Sequence, residues 1–206
     1  TRFFLNYSVH DDTDYVFLDG SQTSVNEEIF SRFARDNVHY YRFDVDLSPS
    51  DYYRKMRTGL SLVRDKFVLY ADNDDLLLRE GLSKATKLLG SLGERSALVA
   101  DTLGVTCNNR MNRCSFPAVY TSPKKLCMTH PTKRLYEYRA SHVNLWNQIH
   151  PTSVADTIWE SVINSGAEEL HMVEFLYCER LIELCEFRYL PTRYYIRLEE
   201  QANRTI

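Results

Sequence analysis

Between Tyr15 and Ala100, short apolar runs alternate with stretches of helical spacing, and this alternation restricts the fold more than any other feature of the chain. Tyr15–Leu18 is an apolar run ended by Asp19-Gly20-Ser21, the pattern of a buried strand closing in a turn. Ser24 and Glu27 have capping-box spacing ahead of Ile29, Phe30 and Phe33 and predict a helix. Val38–Phe43 is β-branched and aromatic enough for a second strand. Ser48-Pro49-Ser50-Asp51 then supplies an N-cap serine, a proline at the first helical position and an acid at the third. Tyr53, Met56, Leu60 and Val63 repeat behind it at helical spacing. Phe67–Ala71 reads as a third strand running into Asp72-Asn73-Asp74-Asp75, and Leu82, Ala85, Leu88, Leu89 and Leu92 as a helix stopped by Gly93. Ala97–Ala100 completes the series as a fourth strand. Strands and helices joined by short connections predict an α/β fold, a parallel sheet flanked by helices.

The second half is less regular. Residues 104–135 read mostly as loop, with Asn108-Asn109 and prolines at 117, 123 and 131. Helical spacing returns with Leu170, Val173, Tyr177, Leu181 and Leu184, and Tyr194-Tyr195-Ile196 is strand-like. Neither a repeat nor a low-complexity linker divides the 206 residues, a length that suits one substantial domain.

Composition narrows the function. With 44% hydrophobic and 26% charged residues the chain is an ordinary globular one, not a disordered or fibrous one. An uninterrupted apolar stretch approaching the ~20 residues that span a bilayer is missing, as is a charged-then-apolar leader, so a cytoplasmic protein with no transmembrane segment is expected. The five cysteines form no CxxC pair, and Cys178 and Cys185 are expected to be small buried hydrophobes in a reducing compartment. The formal charge of −3 hides an asymmetry: Arg110, Arg113, Lys124, Lys125, Lys133, Arg134 and Arg139 face one acid, Glu137, over residues 110–139. The remainder is acidic, which argues against nucleic acid as a partner, while the basic stretch suits either a localised anion such as a diphosphate or a solvated loop.

Chemistry concentrates at the two acidic turns. In open parallel sheets, ligands bind beyond the carboxyl ends of the strands. Asp19 and Asp72/Asp74/Asp75 occupy such ends and are expected on the same sheet edge. Three carboxylates within four residues repel unless a cation or solvent relieves them, and hard oxygen ligands favour Mg²⁺ or Mn²⁺ together with substrate phosphates. The competing reading is that Asp74 and Asp75 cap the following helix. A calcium loop is excluded by the missing sixth-position glycine and later glutamate.

The run Phe67-Val68-Leu69-Tyr70-Ala71-Asp72-Asn73-Asp74-Asp75 resembles the strand and D-x-D-D turn of family-2-type nucleotide-sugar glycosyltransferases, and Tyr15–Ser21 resembles their earlier strand ending in D-G-S. Asn147-Gln148-Ile149-His150-Pro151-Thr152 is similar to the segment before the family's catalytic acid, Glu174-Phe175 falls where that acid lies, and Arg188–Arg197 resembles the closing strand. The resemblance implies a GT-A fold, a Rossmann-like, mostly parallel sheet flanked by helices, as one domain over 1–206 with a nucleotide-binding half (1–103) and an acceptor-side half (104–206). It implies that Asp19 contacts the nucleotide base, that Asp72 lies near the ribose and metal, and that Asp74 ligates the Mn²⁺ or Mg²⁺ bridging the diphosphate. Asp75 would support the metal site from behind. Glu174 would be the base that deprotonates an acceptor hydroxyl, on a glycan or another molecule, in an inverting transfer. In that comparison Thr1–Tyr7 looks like the helix after the family's first strand, so that strand is expected to be absent from this chain.

Independently of the resemblance, Glu174 sits beside Val173 at the edge of an apolar stripe, where a carboxylate could be partly desolvated; Asp156 and Glu160 are the competing bases. His150 could approach the acceptor or phosphate, or be structural. Trp146 and Trp159 could stack on sugar, although core packing is the default for them. Two other function classes fit parts of the pattern. A haloacid-dehalogenase-type phosphohydrolase would use Asp72 as nucleophile and Asp74 as general acid/base, but its motif normally follows the first strand. A non-catalytic GT-A-like interaction module is the third.

Overall fold

The computed structural model describes residues 13–23, 25–32, 35–72, 75–108, 113–115, 119–128, 130–141 and 143–200. In chain order the elements are β1 (Tyr15–Asp19), α1 (Val25–Arg32), β2 (Val38–Arg42), α2 (Pro49–Ser61), β3 (Phe67–Val68), β4 (Leu76–Leu77), α3 (Arg79–Leu89), β5 (Ser96–Asn108), β6 (Arg113–Ser115), β7 (Val119–Thr121), a 3₁₀ turn (Pro123–Leu126), α4 (Pro131–Ser141), β8 (His150–Pro151), α5 (Thr152–Ser165), α6 (Leu170–Leu184) and β9 (Glu186–Glu200). They group into two units of two segments each, Thr1–Val68 with Pro151–Leu184, and Leu69–His150 with Cys185–Ile206.

In the first unit β1 pairs in parallel with β2, in register from Tyr15↔Val38 to Asp19↔Arg42. The connecting helix α1 packs Phe30 between the rings of Phe17 (4.4 Å) and Tyr40 (4.5 Å). Ser48 caps α2 as its sequence predicts: the Asp51 N–H donates to Ser48 Oγ at 3.3 Å, and the Ser48 hydroxyl donates to the Asp51 carboxylate at 2.8 Å. The helix then meets β1 at Gly59, where a Cβ would lie 2.2 Å from Leu18 Cδ1. Helices α5 and α6 carry the core. Trp159, Ile158, Tyr177, Leu181 and Ile182 have no exposed surface, and the Trp159 and Tyr177 rings lie 5.3 Å apart. Gly166, at φ +68°, ends α5 in the left-handed conformation that glycine adopts most readily.

The second unit is built on a five-stranded mixed sheet in the order β4-β9-β5-β6, with β7 also paired to β5. β5 and β9 run parallel, whereas β4 is antiparallel to β9 and β6 and β7 are antiparallel to β5. Ala97–Ala100 is a continuous apolar run because β5 is central and these residues are at most 1% exposed. The β5–β9 register jumps from Ala100↔Leu190 to Thr102↔Tyr195. The extra residues bulge out of β9 around Pro191, which has no N–H to give to a ladder. Helix α3 approaches that bulge closely: a Cβ on Gly81 would lie 1.9 Å from the Arg193 carbonyl oxygen. Arg134 of α4 is buried, donating to the carbonyls of Met128 and Cys185, both at 2.9 Å, with its guanidinium 5.6 Å from the Phe187 ring centroid.

The fold departs from the sequence expectation at definite places. The parallel sheet is present only in part. β1–β2 and β5–β9 are parallel pairs, but the first is a two-stranded sheet of its own and the second belongs to a mixed one. The third strand stops at Val68 instead of reaching Ala71, because the polar groups beyond it bond to side chains: the Tyr70 carbonyl accepts from Asn147 at 3.0 Å and the Asp72 N–H donates to the Tyr195 hydroxyl at 3.3 Å. Helix α3 ends at Leu89 with Gly90 as its cap, before Leu92 and Gly93. The stretch 104–135 is not mostly loop; β5 continues to Asn108 and recruits β6 and β7, and α4 starts at Pro131. Helix α5, which the sequence reading passed over, buries Val154, Ala155, Ile158, Trp159 and Val162. Among the described residues, no helix is long and apolar enough to cross a membrane.

Candidate functional site

Asp19 ends β1 with only 9% of its surface exposed, and its carboxylate is gripped within its own unit. One oxygen accepts the Ser21 N–H at 2.9 Å. The other accepts the Tyr40 hydroxyl and Arg42 Nη1, the latter at 2.9 Å. Register explains the grip, since Arg42 stands directly opposite Asp19 on β2. Burial first, and then the bond to Asp19, push the Tyr40 phenol above its ordinary value, so it stays protonated and donates. Arg42 also donates to the Thr23 carbonyl at 2.7 Å and to the Ser21 carbonyl, clasping the D-G-S turn. Gly20 is required because a Cβ there would stand 2.6 Å from Asp46 Oδ2, and Asp46 is ion-paired with the buried Lys55.

The second acidic turn lies in the other unit, and the expected shared sheet edge is not formed, because β1 pairs with β2 in a sheet that contains neither β3 nor β4. Asp74 and Asn73 fall outside the described residues, whereas Asp72 is half-buried and Asp75 is 3% exposed. The Asp75 N–H donates to the Asp72 carbonyl at 3.3 Å. Tyr195 donates its hydroxyl proton to Asp75 Oδ2 and accepts from Asn147 Nδ2 at 2.7 Å. Burial, followed by the charges of Asp72 and Asp75, pushes the Tyr195 phenol far above its ordinary value, which keeps it a donor. These acids do not cap a helix. β4 intervenes before α3, whose N-cap is Leu78 with no side-chain cap bond. The capping alternative is therefore removed for Asp75.

The Asn147–His150 segment closes around the same region. Tyr70 packs on Trp146 at 5.1 Å and on His150 at 5.5 Å between ring centroids. Gln148 Oε1 accepts the Ala100 N–H at 2.8 Å, and the Tyr194 hydroxyl lies 2.7 Å away. His150 is fully buried with Nδ1 2.7 Å from the Gln148 carbonyl, and desolvation pushes its pKa down to about 4, so it is a neutral structural histidine. Trp146 and Trp159 are core residues at 4% and 0% exposure, as the packing default has it. Cys178 and Cys185 are likewise buried.

Glu174 lies on the exposed side of α6 next to the buried Val173, so the helix does not give it the partial desolvation expected at the stripe's edge. Asp156 and Glu160 on α5 are also exposed, 3.5 and 3.8 Å from the Arg57 guanidinium. Of the basic stretch, Arg134 is bound to backbone carbonyls, Lys124 lies 5.7 Å from the Tyr189 ring centroid, and Lys125 and Lys133 are exposed. Arg110 lies outside the described residues. Tyr195 and Asn147 are the residues that sequence reasoning missed at the acidic turn. Both segments stood out, one as a strand and one as a motif, but their meeting with residues 70–75 depends on the β4–β9 pairing Leu77↔Tyr195, which no local pattern encodes.

Among the described residues no group of three or more His, Cys, Asp or Glu could hold a metal. Asp72 nevertheless has the hard oxygen donor that Mg²⁺ or Mn²⁺ takes, and those ions need only one or two carboxylates when phosphates complete the shell.

Solved structures of S. aureus TarS are among those with a similar fold: a fragment 1–349 superimposes with a TM-score of 0.59 at 13% identity over 90% of this chain and 51% of that one. The same fragment in complex with UDP-GlcNAc matches 92% of this chain and 50% of its own, at 16% identity and the same TM-score. Another TarS structure matches over 31% of its own chain. The chain thus spans about half of the fragment. No protein-family model and no curated protein matches the sequence.

Proposed function

We propose that the chain is a glycosyltransferase that moves a sugar from a nucleotide-diphosphate donor to an acceptor hydroxyl. The observation that carries this reading is the similarity of the fold to TarS, whose structures include complexes with UDP and UDP-GlcNAc, combined with Asp19 at the end of β1 and with Asp72 and Asp75 in the segment between β3 and β4. Asp19 contacts the donor's base through a carboxylate that Ser21, Tyr40 and Arg42 already orient. Asp72 lies toward the ribose and, with Asp74, holds Mn²⁺ or Mg²⁺, while Asp75 supports the turn from inside the core. When bound, such an ion offsets the charge that develops on the departing nucleotide diphosphate. Glu174 takes the proton from the acceptor hydroxyl, and attack on the face opposite the leaving group makes the transfer inverting. Its exposure leaves it open to solvent until an acceptor covers it. The free cysteines Cys127, Cys178 and Cys185 fit a cytoplasmic setting.

Thermal-shift measurements with UDP, GDP, dTDP and CMP, each with and without Mn²⁺, test the reading. A nucleotide diphosphate that stabilises the chain only with metal is the expected result, and Asp74→Ala is expected to abolish it. Stabilisation of Asp74→Ala by the same pair would remove the metal assignment.

A further inference from the structure

We propose that Tyr195, assisted by Asn147, is the positioning residue of the acidic turn: its hydroxyl fixes the backbone at Asp72 and the side chain of Asp75, and so sets how Asp72 meets a divalent cation and a nucleotide diphosphate. This inference rests on the nucleotide-sugar reading above. A phenol has one proton to give and two lone pairs to fill. Here the proton goes to Asp75 Oδ2, and the lone pairs receive Asn147 Nδ2 at 2.7 Å and the Asp72 N–H at 3.3 Å. Asn147 also donates to the Tyr70 carbonyl at 3.0 Å, and its own Oδ1 accepts from Asn144 Nδ2 at 3.1 Å, which fixes the amide's orientation. Both ends of residues 70–75 are thereby tied to side chains, where the chain has left β3 and not yet entered β4.

The placement is costly unless complete. Tyr195 and Asn147 are each 1% exposed and Asp75 is 3% exposed, and a buried polar network that is only half satisfied is worse than apolar packing. A turn with no task beyond connecting two strands could be closed by Phe and Leu at these positions. The network instead converges on the segment that carries both Asp72 and Asp75. Partners standing behind metal ligands typically alter metal affinity by roughly 10–100-fold when removed.

The test uses the full chain with UDP as probe, titrated in Mn²⁺ and in EDTA, on wild type, Tyr195→Phe, Asn147→Ala and Val162→Ala. The last variant trims a buried side chain in the other unit as a stability control. Tyr195→Phe and Asn147→Ala are expected to weaken UDP roughly 10–100-fold in Mn²⁺ and to leave any binding in EDTA unchanged. Val162→Ala is expected to lower the melting temperature without moving the affinity. Wild-type affinity in Tyr195→Phe, or a loss matched by Val162→Ala, overturns the inference. If wild type itself binds no nucleotide with metal, the functional reading fails, and amide exchange decides the positioning role alone. Faster exchange at Asp72 relative to β5 in Tyr195→Phe then supports it, and unchanged exchange overturns it.

Discussion

His150 shows how much a single buried side chain can dictate. It has no exposed surface, and the carbonyl it faces belongs to Gln148, so the neutral ring with Nδ1–H donating is the form that fits. Its folded pKa, pushed down to about 4 by desolvation, lies below the value near 6.5 of an unfolded chain. A depressed histidine contributes stability that is fully present above the unfolded value and is lost as pH falls from about 6.5 toward 4, roughly 3 kcal/mol in all. Urea unfolding between pH 7.5 and 4.5 should therefore show a steeper loss in wild type than in His150→Gln, and equal slopes would contradict the assignment. Glu174 stands at the opposite extreme, on an exposed helix face. If it is the base, Glu174→Gln keeps nucleotide binding and lowers turnover by ~10²–10⁴-fold, measured as sugar transfer under saturating donor. Loss of binding along with turnover would assign it a different role.

At the scale of elements, close approach between helix and strand sets two glycines apart from a third. A methyl at Gly81 meets the Arg193 backbone carbonyl, which cannot move without its strand, whereas one at Gly59 meets the end of Leu18, which can turn aside. Gly90 has open space and φ −63°, a conformation alanine adopts freely. Chemical denaturation should rank Gly81→Ala as the most destabilising, at about 3 kcal/mol, with Gly59→Ala about 1–2 kcal/mol, and should find Gly90→Ala stabilising by about 0.5 kcal/mol. The elements legible in the sequence are those whose cause is local: the Ser48 cap and Pro49 of α2, the apolar run of β1, and the Leu170–Leu184 periodicity of α6. β6 and β7 exist because β5 offers them an edge, and the asparagines and prolines around them carry turn signals that hide strand pairing. Helix α4 turns Arg134 and Tyr138 inward, so its buried face has no apolar stripe to read. Helix α5 did have one, in Val154, Ala155, Ile158, Trp159 and Val162. The site divides in the same way: Asp19 and the 72–75 acids stand in the sequence, while Tyr40, Arg42, Tyr195 and Asn147 reach them through register between strands or through loops distant in sequence.

The whole molecule has an α/β fold similar to TarS, with Asp19 at the end of β1 in one unit and Asp72 and Asp75 ahead of β4 in the other. The proposed function gives the turn at Asp72 one ligand chemistry, a nucleotide diphosphate with a divalent cation. A fold shared at 13–16% identity does not by itself carry an activity, so the claim stands on binding. The chain matches about half of the TarS fragment. The most direct measurement is the melting temperature of the chain and of Asp72→Ala with UDP, in Mn²⁺ and in EDTA. The account predicts a rise in wild type with UDP and Mn²⁺ together, absent in EDTA and absent in Asp72→Ala. An equal rise in Asp72→Ala, or no rise in wild type with UDP and Mn²⁺, would contradict it.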